Sequence, residues 1–218
     1  MSVGFGTSAG TAVATGSARL AAWVVPALRA IVALIVGFAI TFTPAHSSSF
    51  GLVAFGLFAV VAGAIVGAGA LGDRTERRAR GLFVIQGILT VIAGIAALAL
   101  PEGGVHYFVW VVSAWAIVTG ALELVSGIRA RGRMSAARDW MILGALTLIL
   151  AVAFLVVPPD YSQPLGGIEQ IKGELTASVV LVGMFGAWAI VAGVLLGIAA
   201  VSARTPQNSR PVAATVAS

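Results

Sequence analysis

The chain has no cysteine, a single lysine and few charged residues of any kind, 10% of its 218 positions. Without cysteine there is no disulfide framework, no thiolate metal site and no thiol nucleophile. Charge this sparse excludes an ordinary soluble surface, because soluble domains carry about a quarter charged residues. Nor is there a P-loop, a glycine-rich dinucleotide loop, an HExxH or a GxSxG in context. No constellation of side chains amounts to an active site, so the chain is read as non-enzymatic, with no cofactor and no metal.

What is present is apolar. Hydrophobic residues make up 59% of the chain, and the mean hydropathy is +1.04. A soluble fold of this size could not hide that much apolar surface, whereas a lipid solvent removes the need. The net charge of +5 could suit a polyanion. The arginines, however, lie in short clusters between apolar runs and not along one polar face. They read as topology signals, and no nucleic-acid partner is expected. The implied partner is the lipid bilayer, with a second copy or other membrane proteins left open.

A helix needs roughly 20 apolar residues to cross about 30 Å of hydrocarbon. Six segments qualify: 21–43, 50–71, 81–100, 106–128, 139–157 and 176–201. Backbone groups in lipid must be satisfied within the segment, so these are helices. Alternation of apolar and polar residues, the mark of barrel strands, is missing. The expected fold is an all-α membrane protein of six transmembrane helices, arranged as three tandem two-helix hairpins. The membrane domain covers 20–203, with repeats at about 20–73, 77–130 and 135–203. Residues 1–19 and 204–218 are small and polar and read as disordered tails. Residues 1–18 lack the basic start and apolar core of a secretory signal.

Of thirteen basic residues, eleven flank the same ends of the spans: Arg19, the clusters at 74–80 and 129–138, Arg204 and Arg210. The positive-inside rule then places both termini in the cytoplasm. The other three connections hold only Lys172 among basic residues, beside Glu102, Asp160, Glu169 and Glu174.

An internal repeat organises the spans. Pro44, Pro101 and Pro158 are each 57 residues apart, and each ends the first helix of a hairpin. FAVVAG at 58–63, WAIVTG at 115–120 and WAIVAG at 188–193 align in the second helices, the last after an insertion in 159–175. The stretch IEQIKGEL at 168–175 could start the last helix early or lie on the outer surface. The repeat stacks small residues in columns. Gly87 and Gly144 align with Ala30, and Gly37 and Gly94 with Ala151. In the second helices Gly63, Gly120 and Gly193 form one column and Gly56, Ser113 and Gly186 another. Such columns are read as helix-packing seams, since lipid gives helices no hydrophobic drive to associate.

GLFVIQGILTVIAGIAALALPEGG at 81–104 and WAIVTGALELVSGIRARGR at 115–133 carry a family likeness. The chain resembles the HdeD family of bacterial acid-resistance membrane proteins. The shared features are an apolar helix with glycines seven apart, a proline at its outer end, a short loop and a glycine-bearing helix ending in arginines. The resemblance implies a six-helix protein of the bacterial inner membrane, linked to acid stress. It brings no established enzymatic or transport activity and no catalytic residues to carry over.

Ionisable residues inside spans are candidates for function. Arg29 in the first span and Glu123 in the fourth lie at similar depth, and Gln86 shares the repeat column of Arg29. The three form a candidate polar layer. Arg29 could snorkel to the interface, pair with Glu123, or serve proton or substrate movement. Glu123 could be a neutral hydrogen-bonded group, pair with Arg129 or Arg131, or exchange protons. His46 and His106 lie in or beside outer loops. Imidazole changes charge near pH ~6.5, so both are candidate pH sensors, against a reading as ordinary solvated side chains. Trp115 and Trp188 share a column and are read as packing or lipid contacts. Two functions remain in competition. One is a non-enzymatic protein supporting acid or envelope stress tolerance. The other is a small transporter or channel with a proton-handling path between the repeats.

Overall fold

The computed structural model describes residues 8–44, 46–72, 77–164 and 174–204. Its helices are α1 (Ser8–Phe42), α2 (Ser48–Gly72), α3 (Arg77–Ala99), α4 (Gly104–Ala130), α5 (Ala137–Val156) and α6 (Ala177–Arg204). Each is long and apolar enough to cross a bilayer. The protein is an all-α, six-span membrane protein. Arg74, Glu169, Lys172 and Arg210 lie outside the described residues.

Local chemistry fixes the helix ends. Pro44, Pro101 and Pro158 stand two residues beyond the ends of α1, α3 and α5, where a missing N–H and a fixed φ stop the ladder. Ser47 caps α2 by accepting from the Phe50 N–H at 3.1 Å. The turn into α4 uses Gly104 at φ +76° and the turn out of it uses Gly132 at φ +78°, a region that glycine enters without strain.

One segment differs from the sequence reading. Helix α1 begins at Ser8, inside the segment 1–19 read as a tail. Once the span nucleates the helix, each further Ala, Ser or Thr extends it at a cost of only a few tenths of a kcal/mol. Residues 168–173 of the IEQIKGEL stretch lie outside the described residues. Its end, with the following threonine, forms strand β2 (Glu174–Thr176), antiparallel to β1 (Ser162–Pro164). The Ala177 N–H then donates to Tyr161 O at 2.8 Å, and α6 begins there.

The helices of one hairpin are not the tightest neighbours. Instead α2 packs on α3, α4 on α5 and α6 back on α1, while α2, α4 and α6 also touch one another. The three hairpins therefore close a ring about a pseudo-threefold axis, with the second helices inside and the first helices outside. The repeat columns follow this geometry. Ile35, Ile92 and Ile149 face outward at 63%, 55% and 65% exposure, as do Val61, Val118 and Val191. Ala59, Ala116 and Ala189 are fully buried inside. In these columns large apolar groups face lipid and small ones face protein, an arrangement found in membrane bundles. One end of the bundle carries the prolines and the other the exposed Arg80, Arg129, Arg131, Arg138 and Arg204. These are the proline end and the arginine end below.

Candidate functional site

Three glycine seams hold the ring. A methyl at Gly87 would come within 2.8 Å of Gly63 O, and one at Gly94 within 2.8 Å of Gly56 O. At Gly144 it would meet Leu124 N at 2.6 Å, and at Gly120 it would meet Gly144 O at 3.0 Å. In the seam between α1 and α6, a methyl at Gly37 would meet Ile190 Cγ1 at 2.6 Å, one at Gly186 would meet Ile40 Cγ2 at 2.7 Å and one at Gly193 would meet Leu34 Cγ at 2.7 Å. At Gly63, Gly87, Gly94, Gly120 and Gly144 the limiting contact is backbone on backbone, so only glycine lets the helices approach this far.

Rings close the axis. Phe58, Trp115 and Trp188 occupy one repeat column and touch pairwise. Their centroids are 5.9, 5.5 and 5.4 Å apart, with planes 87°, 87° and 89° apart. Each pair sets a positive ring edge near a negative face, the favoured geometry for aromatic contacts. One turn toward the proline end, Phe55 and Phe185 extend the cluster at 5.6 Å from each other. The Trp115 indole N–H donates to Thr90 Oγ1 at 3.3 Å. The Trp188 Nε1 and Ser113 Oγ atoms are buried without a partner among the described residues.

The candidate polar layer lies on the arginine side of this plug. Glu123 is seven residues from the end of α4, about 10 Å along the helix. Arg29 Nη2 donates to Glu123 Oε1 at 2.6 Å, and Gln86 Nε2 donates to the same oxygen at 2.9 Å. The structure thus brings together Arg29, Gln86 and Glu123 from α1, α3 and α4. Glu123 is 2% exposed and Gln86 4%. The Arg29 side chain keeps 17% of its surface. Gln86 Oε1 is buried without a partner. In the third repeat the column of Arg29 and Gln86 holds Leu143, and the columns matching Glu123 hold Val66 and Leu196. The layer is therefore polar at Arg29, Gln86 and Glu123 and apolar at the three equivalent positions.

A family model described as "Short repeat of unknown function (DUF308)" matches three times, over residues 28–90, 85–156 and 174–216. The chain belongs to this short-repeat family. The first match runs from α1 through α2 into α3, and the second continues through α4 to the end of α5. Each therefore takes in the seam between one hairpin and the next. No curated protein and no solved structure matches the chain.

Other residues singled out by sequence lie away from the layer. His46 precedes α2 and His106 is in the first turn of α4, both at the proline end. There Ser49 Oγ donates to Glu102 Oε2 at 3.0 Å, joining the loops of the first two repeats. Among the described residues no group of three or more His, Asp or Glu could hold a metal ion. Trp23 lies under the Arg204 guanidinium at 5.3 Å, and Trp140 packs on Phe83 at 4.8 Å. The sequence reading missed the roles of Phe58 and Thr90. The signal for Phe58 was available, since it stands in the column of Trp115 and Trp188.

Proposed function

We propose that this protein is a non-enzymatic membrane protein of the HdeD type. It supports acid or envelope stress tolerance by packing within the bilayer of a bacterial inner membrane. The arginine end faces the cytoplasm, a reading supported by the positive-inside rule. The observation that carries the proposal is the ring cluster of Phe58, Trp115 and Trp188. It fills the axis along which a path between the repeats would run. The glycine seams favour a tightly fixed ring over a rocking one.

A second reading rests on the Arg29–Glu123–Gln86 layer. A buried carboxyl on the axis is what a proton-handling path uses, and its place on one side of the plug suits a half-channel. The test of both readings is survival at low pH of a strain lacking the gene, restored with wild-type or Glu123→Gln protein at matched membrane levels. Harm on deletion with full rescue by Glu123→Gln supports the packing reading. Harm without that rescue moves proton handling ahead. Unchanged survival on deletion removes the acid-stress role.

A further inference from the structure

The repeat columns are least alike where the ring closes. At the level of Gly87 and Gly144 the first repeat has Ala30, next to Arg29. Those two glycines have no room for a methyl, because one would lie 2.8 Å from Gly63 O and 2.6 Å from Leu124 N. Ala30 carries that methyl, and the α1–α6 seam is wider there by a few tenths of an ångström: a methyl on Gly193 would lie 3.2 Å from Ala30 O, against 2.8 and 3.0 Å in the other two seams. The facing residue shows the same difference. A methyl on Gly63 or Gly120 would meet the backbone oxygen of Gly87 or Gly144 at 2.8 or 3.0 Å, whereas one on Gly193 would first meet the Leu34 side chain at 2.7 Å. Next to Ala30, an ion pair runs from α1 to α4.

We infer that the Arg29–Glu123 pair is a proton-operated latch that holds the arginine-end half of α1 in the ring. With Glu123 charged, Arg29 has its partner and α1 is drawn inward. When Glu123 takes up a proton, the attraction that holds Arg29 inside is lost. The 17% of its side chain already exposed gives it a way toward the arginine end, as long cationic side chains take at membrane interfaces. The slightly wider seam at Ala30 leaves α1 room to move outward at this level. The proline-end half stays fixed by Gly37 against Ile190 and Gly186 against Ile40. The groups facing Glu123 are Arg29 from α1 and the uncharged Gln86 from α3. The equivalent columns of α2, α5 and α6 supply Val66, Leu143 and Leu196, none of which titrates. The next charges, Arg80, Arg129, Arg138, Asp139 and Arg204, are exposed at the arginine end. The latch concerns the molecule itself and holds or fails independently of any role in stress survival.

The native chain has no cysteine, so spin labels attach only where cysteines are introduced. Full-length protein in phosphatidylcholine nanodiscs would carry Leu28→Cys and Ile142→Cys at the arginine end. A control would carry Phe42→Cys and Val156→Cys at the proline end. All four positions face outward. Distances are read by double electron–electron resonance from about pH 7.5 to about pH 4, a span that crosses the ordinary carboxyl range. The latch predicts a longer, broader arginine-end distance in acid and an unchanged proline-end distance. Glu123→Gln should give the acid distribution at every pH. Adding Ala30→Gly should narrow it again. An arginine-end distance that does not move with pH overturns the latch, whatever Glu123→Gln does. So does equal broadening at both ends, which marks general loosening.

Discussion

Arg29 and Glu123 are 94 residues apart in sequence, come from different repeats and meet at 2.6 Å. The pair replaces what the other repeats fill with Leu143, Val66 and Leu196. Taking one charge away strands the other, whereas taking both away restores an apolar layer like that of the third repeat. Glu123→Leu alone is expected to destabilise by about 3 kcal/mol, the low end for buried pairs because Arg29 keeps some exposure. Arg29→Leu with Gln86→Leu and Glu123→Leu is expected to return to within about 1 kcal/mol of wild type. Reversible unfolding in mixed detergent micelles measures both. A triple variant no more stable than the single one would show that the layer is not exchangeable for leucine.

The seams make an opposite demand. Gly87→Ala and Gly144→Ala place a methyl against backbone at 2.8 and 2.6 Å. Backbone cannot rotate aside, so the helices must part, at an expected cost of about 1–3 kcal/mol. Gly197→Ala meets nothing within 4 Å. It should be neutral or gain up to about 1 kcal/mol from helix propensity. The same unfolding assay ranks the three. Equal effects at Gly87 and Gly197 would mean that the seams do not hold the ring.

Much of this was legible in the sequence for a physical reason. Lipid forces each span to be a helix, and a repeat forces equivalent residues into equivalent surroundings. Pro44, Pro101 and Pro158 marked the helix ends, and the columns marked inside from outside. What columns cannot say is which column faces which. That Gly87 meets Gly63 of the previous hairpin, and not a residue of its own, follows from ring closure. Closure depends on all six helices together. The strands at 162–164 and 174–176 are three residues each, too short for any periodic pattern. The start of α1 at Ser8 lies in a small-residue stretch whose composition suits a tail as well as a helix.

The ring cluster carries a finer pattern. Thr90 lies 25 residues before Trp115 and accepts its indole N–H. In the first repeat Ala33 lies 25 residues before Phe58, and in the third Thr147 lies 41 before Trp188, the same spacing plus the 16-residue insertion. In sequence an indole is thus matched with a hydroxyl and a phenyl with a methyl, although the hydrogen bond forms at Trp115 and not at Trp188, where Thr147 Oγ1 donates to Leu143 O at 2.9 Å. Trp115→Phe strands Thr90 and should lose about 0.5–1.5 kcal/mol through the hydrogen bond. Trp188→Phe removes an unpartnered buried donor and should cost less. Phe58→Trp adds an indole N–H opposite Ala33 and should destabilise, with Ala33→Thr restoring part of the loss. Thermal unfolding of these four variants, with Phe58→Trp made alone and with Ala33→Thr, decides. No rescue by Ala33→Thr would break the pairing rule.

The same rings carry a prediction about proton passage. Glu123 lies on the arginine side of the plug, with Phe58, Trp115 and Trp188 between it and the proline end. Thr119 stands one turn from Glu123 on the buried face of α4. In liposomes holding a pH-sensitive dye, wild-type protein should add no proton leak to a pH step, because three rings in mutual edge-to-face contact leave no room for a water chain. Trp115→Ala with Trp188→Ala removes two of the three rings. Water can then reach the polar layer from the proline end, and proton entry should rise several-fold, roughly the effect of removing about 1 kcal/mol from a barrier. Adding Glu123→Leu should reverse much of that rise, since no carboxyl then relays the proton. Wild-type leak that Glu123→Gln abolishes would instead mean that the plug opens on its own, and would favour the proton-handling reading over the packing one.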